Sequence, residues 1–112
     1  MKYRFVLLTI PLLSWLQSEE EITYAEHIEP IFRQKCMDCH HPGEAAPFSL
    51  LDYASIKKRS RTIRRVVEIK YMPPWHAIGG DIPLLDDRRL SERELDLIDR
   101  WVEDGAHEGD PD

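Results

Sequence analysis

Apolar residues recur at helical spacing in three stretches of the chain. Ile56, Ser60, Ile63 and Val67 fall at i, i+4, i+7 and i+11, with Lys57, Lys58, Arg61, Arg64 and Arg65 on the other side. That pattern predicts an amphipathic helix over about residues 53–71. Near the C-terminal end, Leu95, Ile98, Trp101 and Val102 make a second stripe. Ser91 and Glu94 have capping-box spacing, Leu90 and Leu95 are placed as a hydrophobic staple, and Gly105 is a natural stop. A shorter stripe, Ile28, Ile31 and Phe32, lies in segment 23–40, with Thr23 and Glu26 placed as a capping box. Pro30 interrupts it, so the helix either restarts there or kinks. Segments 41–52 and 72–90 carry Pro42, Gly43, Pro47, Pro73 and Pro74 and read as loops. The acidic stretch 106–112 reads as a loose tail. Neither a repeat nor a strand pattern is evident. The expectation is a small all-α domain of three main helices.

The start of the chain reads differently. Lys2 and Arg4 precede an apolar run of about twelve residues, Phe5 to Leu16, too short to span a bilayer. Residues 1–18 are therefore expected to be an export signal and residues 19–112 the mature domain. A buried N-terminal helix is the alternative. With no second apolar run, no stable membrane insertion is expected after signal removal. The remaining chain, about 94 residues, is of a size at which a purely protein core is marginal. A formal charge of −6 makes nucleic acid an unsuitable partner.

The chemistry concentrates at residues 36–40, Cys-Met-Asp-Cys-His. This spacing is the attachment motif for c-type haem: Cys36 and Cys39 can each add to a vinyl group, and His40 can place an imidazole nitrogen on the iron. They are the chain's 2 cysteines. Three other readings stand beside this one. A redox dithiol usually accompanies a strand–helix–strand pattern, and none is visible. A zinc site needs two further ligands, which His40 and His41 are poorly placed to supply. A Cys36–Cys39 disulfide in an exported protein is the third. Export and haem support each other, because c-type haem is attached outside the cytoplasm and a flat apolar cofactor would enlarge a marginal core.

Iron held by His40 needs a second axial ligand or an open site. After the signal, methionine occurs at Met37, inside the motif, and at Met72, ahead of Pro73, Pro74 and Trp75. Pro73 disfavours helical geometry at Met72, and the two prolines make a stiff, extended stretch beyond it. A thioether held this way loses little freedom on binding. Met72 is the expected distal ligand. The bland reading is a gap-filling core methionine ahead of a helix stop. His76 is the rival ligand. His41 reads as a surface residue, and His27 and His107 as solvated.

On these residues, segment 24–109 resembles a class I mono-haem cytochrome c domain. The resemblance rests on a helix ending in CMDCH, the Met72 loop, and a last helix ending Trp101-Val102-Glu103-Asp104-Gly105-Ala106. HHPGEAAPFSLLDY and YMPPWHA look more narrowly like bacterial cytochrome domains that accompany copper monooxygenase-like or redoxin-like domains. The resemblance implies one covalent haem c, with Cys36 and Cys39 as thioether sites, His40 proximal and Met72 distal. It also implies a proline carbonyl, from Pro42 or Pro47, on the proximal imidazole, and a contact between first and last helices, for which Phe32 and Trp101 are candidates.

The function expected from this set is one-electron transfer by an exported, periplasmic, monomeric haem protein that serves a redox partner protein and is not an enzyme. The basic side of segment 53–71 suits an acidic partner, although a merely solvated helix face has the same composition. The alternative is a haem protein with an open or labile distal site that takes a gas or peroxide.

Overall fold

The computed structural model describes residues 19–75 and 85–112. The expected export signal and His76 both lie outside the described residues. Among the described residues there are four helical segments: a π-helical turn, Tyr24–Ile28, that runs directly into α1, Glu29–Lys35; α2, Tyr53–Glu68; and α3, Glu92–Glu103. The domain is all-α among the described residues. No helix there is long and apolar enough to cross a membrane.

The helix does not break at Pro30: it passes from π to α geometry at Glu29, and Pro30 sits in the first turn of α1, where a missing N–H costs least. The widened turn ahead of it closes with Glu29 N–H donating to the Tyr24 carbonyl. The expected Thr23–Glu26 capping box is absent, since the Thr23 side chain makes no cap bond. Thr23 N–H instead donates to Nδ1 of His27 at 3.2 Å. His27, expected to be solvated, is thus a part-buried partner of the helix start.

α2 begins on Asp52, whose carboxylate accepts from Ser55 N–H at 2.8 Å and from the Ser55 hydroxyl at 3.0 Å. Ile56, Ser60, Ile63 and Val67 are its buried positions, as their spacing predicts. The Ser55 bonds hold the Asp52 carboxyl below the usual carboxylate range. A folded-state pKa below the unfolded one stabilises above the unfolded value and is lost as pH falls through the folded one. The melting-temperature gap between the wild type and Asp52→Asn should therefore be constant above about pH 5 and shrink as the pH drops below about 4. A gap independent of pH would rule out the charged cap.

α3 carries the expected capping box in full. Ser91 N–H donates to Glu94 Oε2 at 2.7 Å, and Glu94 N–H donates to Ser91 Oγ at 3.2 Å. It ends where Gly105 takes φ +101°. Gly105 N–H reaches the Val102 carbonyl at 3.3 Å and Ala106 N–H the Trp101 carbonyl at 2.8 Å, the paired bonds of a Schellman stop.

Ile28, Phe32, Ile56, Ile98 and Trp101 are the largest fully buried side chains. α3 packs on α2 and on the π-helical turn. Phe32 and Trp101 share this core, but the ring that lies beside Trp101 is that of Tyr24, with centroids 6.3 Å apart.

The tail corrects the sequence reading. Its carbonyls serve donors that would otherwise go unpaired. Tyr24 N–H donates to His107 O and Ala25 N–H to Glu108 O, both at 2.9 Å. Trp101 Nε1–H also donates to His107 O at 2.9 Å, and the Tyr53 hydroxyl to Ala106 O at 2.8 Å. Residues 106–109 are a strap that ties the end of α3 to the first helical turn and to α2. Gly109 adopts φ +77°, and a Cβ there would come within 2.6 Å of Thr23 Cβ. Gly109→Ala should cost roughly 1–3 kcal/mol in urea unfolding; no loss would mean that the strap is not seated on Thr23.

Candidate haem-attachment site

The motif is formed by the way α1 ends. Cys36 caps the helix, with its N–H on the Phe32 carbonyl at 2.9 Å. The chain then turns tightly over the Cys36 carbonyl, which accepts from Cys39 N–H at 3.2 Å and from His40 N–H at 3.0 Å. This turn draws the two thiols and the imidazole into one short unit. Cys36 is half-buried and packs against the core, while Cys39 is exposed; both thiols are free. Burial pushes the Cys36 thiol up to about 12.

His40 is held on both sides. Its main-chain carbonyl accepts from Leu50 N–H at 2.9 Å, and Leu50 is buried in the core. Its Nδ1 lies 3.0 Å from the Phe48 carbonyl oxygen. A carbonyl can only accept, so Nδ1 carries the proton and the Nε2 lone pair is available to a metal. The family resemblance implies a carbonyl of Pro42 or Pro47 in this role. The structure places Phe48 there instead, because Ala46 N–H on Cys39 O and Leu50 N–H on His40 O fold the loop so that the intervening Phe48 meets the ring. His41 turns to its neighbour, with Nδ1 3.1 Å from Pro42 O.

Met72 is set by the end of α2. Lys70 adopts φ +58°, and Lys70 N–H and Tyr71 N–H make a Schellman pair with Val67 O and Val66 O at 3.0 and 2.9 Å. Val66 O also accepts from Met72 N–H at 3.0 Å. The side chain is half-buried and packs against the same core as Cys36 and Met37. Trp75 lies just beyond, half-buried, and its Nε1 is buried without an acceptor among the described residues.

Residues 87 and 88 reach the motif by contacts that no local pattern signals. Lys35 Nζ donates to Asp87 O at 2.8 Å, and Arg88 Nη2 donates to Asp38 Oδ2 at 2.8 Å. The Asp38 carboxylate raises the Arg88 pKa. Arg88 Nη1 is the second buried donor without an acceptor.

Glu20, Glu26 and His27 also converge, with ligand atoms within 4.8 Å of one another. His27 Nδ1 already accepts from Thr23 N–H, so the neutral ring carries its proton on Nε2, which faces Glu20 at 3.7 Å. That arrangement is a polar cluster around a neutral ring and offers a metal no imidazole lone pair.

No family model, no curated protein and no solved structure matches the chain.

Proposed function

We propose that the chain is an exported mono-haem c-type cytochrome, similar to class I cytochrome c domains, that carries single electrons to and from a partner protein. The observation that carries this reading is His40, whose Nδ1–H is committed to the Phe48 carbonyl and whose Nε2 lone pair is left free in a chain turn that also carries two free thiols. The residues fit haem in two further ways. Trp75 Nε1 and Arg88 Nη1 are buried donors without acceptors among the described residues, and haem carries two carboxylates that can only accept when ionised. Phe48, Leu51, Ile69 and Tyr71, which flank the motif and Met72 in sequence, expose apolar surface that suits a flat apolar cofactor.

In this reading Cys36 and Cys39 would tether the cofactor, and His40 and Met72 would be the ligands of its iron. Bound haem supplies one-electron chemistry by cycling between ferric and ferrous iron. The remaining roles belong to the protein. The Phe48 carbonyl fixes the His40 tautomer and ring angle, the α2 stop presents Met72, and the Arg88–Asp38 and Lys35–Asp87 ties hold the returning chain beside the motif. A redox dithiol is disfavoured by the same residues. Its attacking cysteine needs thiolate character near neutrality, and the half-buried Cys36 is shifted the opposite way, so Cys36 is unsuited to that role.

The test is the full chain expressed in a bacterium with its own haem-attachment apparatus. Haem should stain with the denatured polypeptide and be lost entirely in Cys36→Ser/Cys39→Ser. Denatured wild-type protein without haem stain would overturn the reading.

A further inference from the structure

Three groups stack beside the motif. The Phe48 ring lies 4.7 Å from the His40 imidazole, centroid to centroid, at 40°. The guanidinium carbon of Arg59, on α2, lies 4.5 Å from the Phe48 centroid. Arg59 Nη1 is anchored by the Ser55 carbonyl at 3.3 Å. Phe48 therefore holds His40 twice, by its carbonyl at Nδ1 and by its ring, and its face also receives a permanent cation. None of the ion pairs among the described residues involves Arg59, so no carboxylate there neutralises it.

We infer that Arg59, seated on Phe48, is a positioning and charge-setting residue for His40 that raises the reduction potential of the centre His40 serves. The inference rests on the haem reading above and adds the regulation of that site. Two effects oppose each other at His40. A carbonyl accepting from Nδ1–H makes the imidazole a stronger donor, which favours the more positive iron. A fixed cation on the same side disfavours it. The two ring separations keep the guanidinium within about 9 Å of the imidazole, close to one Debye length at physiological salt. The charge is therefore felt but partly screened. Arginine suits the seat better than lysine, because a planar guanidinium stacks on a ring face and keeps its charge at every working pH.

The experiment is potentiometry on the holoprotein for the wild type, Arg59→Gln, Arg59→Lys and Phe48→Leu, each first checked for covalent haem. Arg59→Gln should make reduction less favourable by roughly threefold, a fall of about 28 mV for one electron. The fall should grow at low salt. Arg59→Lys should restore most of the wild-type value, and Phe48→Leu, which removes the seat and keeps a bulky apolar side chain, should lose part of it. Wild-type protein without covalent haem would retire the haem reading itself. Attached haem with the same potential in Arg59→Gln as in the wild type would retire this inference alone. So would equal shifts in the glutamine and lysine variants at all salt concentrations, since charge would then play no part.

Discussion

Trp101→Ala should be the most destabilising single substitution in the domain. The side chain is fully buried at the meeting of α3, the π-helical turn and the strap, and truncating a buried tryptophan costs about 3–5 kcal/mol. Small domains have about 5–15 kcal/mol in all, and this chain sits toward the small end. The variant should unfold at a much lower urea concentration or fail to accumulate. Trp101→Phe separates the two contributions. It keeps most of the apolar volume and removes the Nε1–H that donates to His107 O. That loss should cost ~1–2 kcal/mol. The expected order of urea midpoints is wild type, then Trp101→Phe, then Trp101→Ala. A Trp101→Phe protein as stable as the wild type would mean that the strap is held by Tyr24 N–H and Ala25 N–H without help from the indole.

The features that the amino-acid pattern predicts well are local. α3 can be read end to end because its start and stop are written in adjacent side chains: Ser91 three residues before Glu94, and Gly105 after the last apolar position. The buried side of α2 is set by spacing alone. The misreadings share a physical cause, which is that main-chain groups supply the contact. Residues 106–109 look loose because Ala106, Glu108 and Gly109 are small or acidic and His107 is polar, yet it is carbonyls of this segment that serve the first helical turn, Trp101 and Tyr53. The family resemblance points to a proline beside His40, but any residue at position 48 would present a carbonyl. Thr23 and Glu26 have capping-box spacing, but the wider π-helical turn gives the Thr23 N–H to His27 Nδ1. The ties from Lys35 to Asp87 and from Arg88 to Asp38 join residues 52 and 50 apart in the chain, beyond any local pattern. Within the candidate site, Cys36, Cys39, His40 and Met72 are all legible as residues. Their support is not: the Phe48 carbonyl, the Arg59 stack and the Val66 carbonyl beneath Met72 emerge only from the folded chain.

Met72→Ala should change the chemistry of the centre more than its stability. Met72 is half-buried, so its truncation should cost only ~1–2 kcal/mol, below the usual range for a fully buried methionine. Its position does not depend on the side chain, because Met72 N–H is fixed to Val66 O and the Lys70–Tyr71 Schellman pair sets the approach. On the proposed haem reading, the variant should therefore fold and retain covalent haem while lacking the Met72 ligand. Loss of a thioether ligand has three readouts. The weak long-wavelength sulfur-to-iron band of the ferric form should vanish, the ferrous form should bind carbon monoxide readily, and the reduction potential should fall, because methionine ligation favours the reduced iron. His76→Ala is the necessary comparison, since His76 is the rival candidate four residues further along the sequence; it should keep the band and exclude carbon monoxide. The opposite pattern would give the distal position to His76. Wild-type protein that lacks the band and takes up carbon monoxide unaided would mean the site is open, and an open site belongs to a binder of gases or peroxide. A site closed by both Met72 and His40 would leave the iron no position for substrate, which is what the proposed electron transfer requires.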